Sequence, residues 1–323
     1  MTVFSNFGKY GIVGAGGVGS VQIEVAMWGG AGASGISNPM VGAGGFMTAV
    51  YELAPGPVVL RGAGGGQAGP HSGHIGPIAH GNGGRGSAGP SPYTISGGGG
   101  GGHSGIFIGS VSHANALVMA GGGGGGSYIS TEVHPQGGGY PTGGRGSYNS
   151  SYGSAGAFGG TQSAGGDGSP TPVGARGGGA NGFVSTDGAA LAGGNGGLNR
   201  PGPTSYSFGG AGGGGGYYGG SGGPADGGRG GMSGGGGSGF FAADGARING
   251  VTVTLVSSTA VSATNYEAAG QPHPYWPLNG GSYGAGVNPS TDGANGQNGA
   301  IFWRLAGGSW SSAITNTDSS ITI

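Results

Sequence analysis

Ala116–Gly126 reads ALVMAGGGGGG, and the join between its two halves decides the fold. The first half is apolar and extended in preference, as a buried strand requires. The second half has no side chains, so it can be held only by its backbone. The same alternation runs along the chain. VQIEVAMW (Val21–Trp28) is followed by GGAGASG, and FMTAVYEL (Phe46–Leu53) is preceded by a glycine pair. Further apolar islands are Val58–Leu60, Ile106–Val111, Val251–Val261, Ile301–Leu305 and Ser320–Ile323. In VQIEVAMW, Val21, Ile23, Val25 and Met27 share one side and Gln22 and Glu24 the other, the period of a half-buried strand. Helix is nearly excluded, because glycine costs about 1 kcal/mol and proline about 3 in a helix interior. The longest stretch lacking both, from Val251 to Ala269, begins with the β-branched VTVTLVSSTAV.

Glycine is 96 of the 323 residues, against about 7 % in ordinary proteins. The runs include Gly97–Gly102, Gly121–Gly126, Gly177–Gly179, Gly212–Gly216 and the region from Gly209 to Gly239. Flexible linker is one reading of them. Ordered extended helices are the other, favoured because the runs lie between strands rich in Phe, Tyr and Trp. In polyproline II geometry a residue advances about 3.1 Å, three complete a turn, and no hydrogen bond is internal. Every N–H and C=O then points sideways and needs a partner. Neighbouring runs can supply it, since backbones lacking Cβ atoms approach closely. Collagen does not fit, because glycine is not at every third position in VQIEVAMW or VTVTLVSS. The expected fold class is all-β, with sandwich or jelly-roll-like strands joined to a bundle of polyglycine II helices.

Charge and motifs narrow the function. Nine basic and ten acidic residues give a net charge of −1, so the basic clusters that bind phosphate backbones are missing. Cysteine is absent, which excludes disulfides and thiolate metal sites. The sequence shows no signal-peptide pattern and no run of 18 apolar residues, so no membrane insertion is expected. Gly14, Gly16 and Gly19 have the spacing of a dinucleotide-binding loop, but a strand follows where a helix is required. At this glycine content the pattern arises by chance roughly eight times. Ser221 and Ser282 each centre a G-x-S-x-G without the strand–turn–helix context of a nucleophile. His71, His74 and His80 invite a metal reading, yet no carboxylate is near and a Gly/Pro loop carries them, so no metal or other cofactor is expected. His103, His113, His134 and His273 read as isolated surface or turn residues. The acidic residues are dispersed, so no acid–base pair can be nominated and no enzymatic activity is expected.

The residues with most to offer are aromatic and sit in insertions between the runs. Tyr140, Tyr148 and Tyr152 form one group, Tyr217 and Tyr218 a second, and Tyr275, Trp276 and Tyr283 a third. Tyrosine among Ser, Gly and Asn is the chemistry of adaptable binding loops. The bland alternative is that these rings cap the apolar ends of a glycine lattice.

ALVMAGGGGGG, VQIEVAMWGGAGASG (Val21–Gly35), PGPVVLRGAGGG (Pro55–Gly66) and GANGQNGAIFWRL (Gly293–Leu305) together resemble the glycine-rich domains of phage virion and tail-fibre proteins. These domains are similar to the fibre-tip adhesins of T-even-like phages, and to the extracellular glycine-rich domain of the anaplastic lymphoma kinase receptor. The cysteine-free chain departs most from the receptor. The resemblance implies a β-sandwich fused to polyglycine II helices, with receptor contact made by loops at the distal end. It also implies a virion location, with other virion or tail-fibre proteins and a host glycan or outer-membrane protein as partners; a homotrimer is what a structural subunit would form. Residues 1–19 are expected to attach the protein to the particle, 20–305 to form the glycine-rich domain, and 306–323 to be a C-terminal strand or tail. Two other classes compete: a purely structural fibre or capsid-decorating subunit, and an ice-binding protein, which would need a regular Ala, Ser or Thr face.

Overall fold

The computed structural model describes residues 20–35, 41–54, 56–62, 79–87, 94–127, 137–146, 157–168, 185–197, 207–226, 230–263, 269–270, 273–275, 278, 283–286 and 295–323. Among these the protein is nearly all-β, and its helix is limited to a single 3-10 turn at His113–Asn115 and an isolated helical residue at Leu278. The strands are β1 (Val21–Trp28), β2 (Phe46–Leu53), β3 (Pro57–Gly62), β4 (Thr94–Ile95), β5 (Ser104–Ile108), β6 (Ala116–Ala120), β7 (Ser207–Phe208), β8 (Ala225–Asp226), β9 (Gly230–Gly231), β10 (Phe240–Phe241), β11 (Arg247–Ile248), β12 (Val251–Val261), β13 (Ala300–Leu305) and β14 (Thr317–Thr322). Two five-stranded antiparallel sheets result. Sheet 1 has the order β11-β12-β2-β1-β13, and sheet 2 the order β10-β6-β5-β3-β14. The C-terminal segment is therefore a strand, edging sheet 2 through pairs such as Asp318 with Arg61.

The inward residues of the two sheets share one core. Ile23, Val25 and Met27 of β1 meet Leu60 of β3, Ile106 of β5 and Leu117 of β6, all buried. Tyr51 of β2 crosses between the sheets, its hydroxyl donating to Ala242 O at 2.9 Å and Leu117 O at 3.2 Å. The half-buried pattern read from β1 is corrected in its last turns, because Ala26 and Trp28 on the outer side are buried as well. A second cluster around Trp28, Phe46 and Phe302 covers that face.

Beyond one end of the sheets lies a layer of extended glycine segments. Six of them are continuous with strands: Gly29–Gly35 leaves β1, Gly121–Ser127 leaves β6, and runs enter β2, β5, β10 and β13. Their hydrogen bonds are lateral and recur every third residue. Gly122 and Gly125 donate to Gly215 and Gly212, while Gly123 and Gly126 donate to Gly30 and Ala33. Gly121 and Gly124 accept from Gly45 and Gly42. The packing leaves no room for side chains: a Cβ on Gly214 would sit 2.1 Å from Gly122 O, and one on Gly100 2.0 Å from Gly213 O. Ala31, Ala33, Ala43 and Ala211 are fully buried exceptions. Larger residues within the runs, such as Arg85, Asp167, Thr186, Asp187 and Asn195, lie at exposed positions.

Candidate functional site

At the sheet end the glycine segments reverse through Ala79–Asn82, Tyr140–Thr142, Thr161–Ala164, Ala189–Ala192 and Tyr217–Tyr218. These turns rest on the sheets. Phe240, Tyr217 and His113 form a column: Tyr217 stacks on Phe240 at 3.8 Å and 8°, and on His113 at 3.9 Å and 24°. Both faces of the Tyr217 ring are thus occupied by protein, and none remains for a ligand to stack on. Burial raises the Tyr217 pKa, helped by Tyr218, and burial lowers that of His113. Tyr218 meets His113 and Tyr217 edge-on, and its N–H donates to Ser238 Oγ at 3.0 Å. Tyr140 is 40 % exposed and meets Phe241 in a T-shaped contact at 5.1 Å.

The third aromatic group covers the outer face of sheet 1. Tyr275 donates its hydroxyl to Glu24 Oε1, while Arg304 Nε donates to Glu24 Oε2 at 2.6 Å. Trp310 lies under the Arg304 guanidinium at 4.6 Å and meets Tyr275 edge-on at 5.1 Å. Tyr283 packs edge-on against Phe302 at 5.9 Å. Tyr275 and Tyr283 therefore pack against the cluster of Trp28, Phe46 and Phe302.

The polar residues are likewise engaged. Asp318 accepts from Arg61 Nε and Nη2, both at 3.0 Å, and pairs with His80 Nε2 at 3.0 Å. Burial raises the Asp318 pKa, but hydrogen bonding and charge from Arg61, then from His80, outweigh it and hold the carboxyl below its usual value. His103 is not the surface or turn residue expected from sequence: its ring is fully buried. Ser221 is buried in the glycine layer and accepts from the Phe158 N–H, so it is no nucleophile elbow. Among the described residues no group of three His, Asp or Glu is placed to hold a metal. One apolar notch, lined by Leu53, Ala54, Gly56, Pro57, Val58, Ile108 and Val251, has room for about one water, far below a small-molecule pocket.

Tyr148, Tyr152, Trp276, His71 and His74 lie outside the described residues, as do Gly14, Gly16, Gly19 and Ser282. The flanks of several such segments are visible at the end of the layer away from the sheets. Gly146 donates to Ala157 O at 2.8 Å, across the interval holding Tyr148 and Tyr152. Gly97 donates to Ser87 O at 2.9 Å and Gly210 to Gly197 O at 3.0 Å. Tyr140, Tyr217 and Tyr218 are at the sheet end, beside Phe240 and Phe241 of β10. Phe240, Trp310, Arg61 and Asp318 are not singled out by sequence, since only strand pairing unites Arg61 with a partner 257 residues away; the expectation that no carboxylate lies near His80 is corrected, because Asp318 is 3.0 Å from its Nε2. Comparison of the chain with protein-family models, curated proteins and solved structures gives no match.

Proposed function

We propose that the chain is a non-enzymatic phage virion protein, a tail-fibre or fibre-tip component that binds the host surface through loops mounted on a rigid glycine scaffold. The observation that carries this reading is the three-residue recurrence of lateral hydrogen bonds between extended glycine segments. That recurrence is what a lattice of polyglycine II helices requires, with three residues per turn and all bonding outward. The two packed sheets are then a jelly-roll-like sandwich from which the helices grow. The layer is anchored to the sheets at one end, and at the other Gly146 bonds to Ala157 across the interval that holds Tyr148 and Tyr152, which supports taking that interval as a contact segment. Host glycan or outer-membrane protein is the ligand class for those loops.

The structural-subunit reading needs exposed aromatics for contacts between subunits, and Tyr217, Tyr275 and Tyr283 pack within the protein instead. The ice-binding reading is disfavoured by the outward residues Arg85, Asp167, Asp187 and Asn195, which do not form a Thr or Ala ladder. The test is binding of purified protein to intact candidate host cells. Tyr148→Ala with Tyr152→Ala should abolish binding while thermal melting is unchanged. Tyr140→Ala with Tyr218→Ala, at the sheet end, should leave it intact. Loss only in the second pair would move the contact surface to the sheet end, and no binding by the parent protein would favour the structural subunit.

A further inference from the structure

His103 stands where a glycine run becomes a strand: Gly97–Gly102 precede it and β5 begins at Ser104. Its N–H donates to Gly81 O at 3.0 Å, tying the run to the turn Ala79–Asn82. That contact is tight on both sides, since a Cβ on Gly81 would lie 2.4 Å from His103 O and one on Gly102 1.9 Å from His80 O. The ring is fully buried, edge-on to Phe107 at 6.2 Å, and neither Nδ1 nor Nε2 has a hydrogen-bond partner. Three charged or titratable groups face it: Arg61 from β3, His80 from the turn and Asp318 from β14. The one negative charge among them is already engaged, because Asp318 is bonded to both Arg61 and His80. An imidazolium here would lie in a dry site beside a guanidinium, where the Gly81 backbone is the one hydrogen-bonding group that favours its charge.

We propose that His103 is an acid-sensitive joint between sheet 2 and the glycine layer, seated only while its ring is neutral. Protonation would require the ring to leave its site and so break the Gly81–His103 contact that seats the layer on the sheet. Burial pushes the imidazole down to about 3; Arg61 and then His80 act in the same direction, against Asp318 and the hydrogen bond with Gly81. The unfolded chain binds this proton near pH 6.5. Between about pH 6.5 and 3 only the unfolded chain carries it, so stability is fully present above that window and is lost as pH falls. The slope is about tenfold in the folding equilibrium constant per pH unit. Asp318, held below its usual range, gives way only at lower pH, so the loss that begins near pH 6.5 belongs to the buried and half-buried histidines, His103 foremost.

Denaturant unfolding at pH 7.5, 6, 5 and 4 tests the joint. The parent protein should lose about tenfold per unit below pH 6.5, and His103→Leu should lose most of that dependence. His113→Gln and His273→Gln, at half-buried rings whose values are also lowered by burial, should retain it. A folded His103→Leu with an unchanged slope would overturn the proposal. Should that variant not fold, imidazole nitrogen shifts of the parent protein decide: His103 should stay neutral until unfolding begins. Titration of His103 near pH 6.5 in the folded state would overturn the proposal.

Discussion

The sheets and the glycine layer use the same backbone hydrogen bond but are held by different means. In the sheets the bonds are ladder bonds and side chains supply the cohesion: Trp28, Tyr51, Phe46 and Phe107 are among the largest buried groups. In the layer the cohesion comes from close approach itself, with successive residues bonding to different neighbours. Gly121–Gly126 bonds with segments at Gly30–Ala33, Gly42–Gly45, Gly98–Gly101, Gly212–Gly215 and Gly234–Gly237. Ordering a residue costs about 1–2 kcal/mol, glycine most of all, whereas a hydrogen bond nets about 0.5–1.5 kcal/mol. The layer therefore depends on being seeded, and six of its segments are launched directly by strands. A sheet tolerates exchange of one apolar side chain for another; the layer admits only small side chains such as Ala31, Ala33, Ala211 and Ser221 at particular interior positions, and none where a Cβ would meet backbone.

The largest expected effect breaks the layer alone. Gly214→Leu should abolish folding, and Gly214→Ala should cost more than about 3 kcal/mol, because its Cβ would lie 2.1 Å from Gly122 O and 2.6 Å from Gly122 C, backbone that cannot swing aside. Gly56→Ala, where the nearest atom to a Cβ is 3.9 Å away, should stay within about 0.5 kcal/mol. Equal effects at the two positions in chemical denaturation would erase the distinction. Next comes a change on the side-chain half. Trp28→Ala removes a ring packed at 4.7 Å on Phe46 and a bond to Ala269 O, and should cost about 3–5 kcal/mol.

Smaller effects sharpen the comparison. Tyr51→Phe deprives Leu117 O and Ala242 O of their shared donor and should cost about 1–3 kcal/mol by urea titration. Ser238→Ala removes a hydroxyl that accepts from Tyr218 N–H and donates to Thr161 O at 2.8 Å, at about 1 kcal/mol. If Ser238→Ala outweighed Tyr51→Phe, side-chain bonds would matter more to the layer than its backbone packing.

Strand positions were legible because alternation and glycine punctuation are local signals. Val21–Trp28, Phe46–Leu53, Ala116–Ala120 and Val251–Val261 have the same limits in sequence and structure. Ile106–Val111 was placed late, since Ser104 and Gly105 extend β5 although neither favours a strand. Pairing order was not legible: nothing local tells β1 to lie between β2 and β13, or β14 to join β3. The candidate site was read least well. Tyr217 and Tyr140 look alike in sequence, and only the positions of Phe240 and His113 show that one ring is stacked on both sides while the other stays largely exposed. His103, flanked by glycine and serine, gives no local sign that a sheet and a glycine layer will close over it.

Amide hydrogen exchange, resolved by residue, tests the central claim most directly. An ordered layer predicts that Gly122, Gly123, Gly125, Gly212 and Gly214, all donors in lateral bonds, exchange as slowly as the amides of β1 and β2. Exchange of those glycines at the rate of an unstructured chain, with the strands still protected, would show the runs to be linkers and would contradict the account.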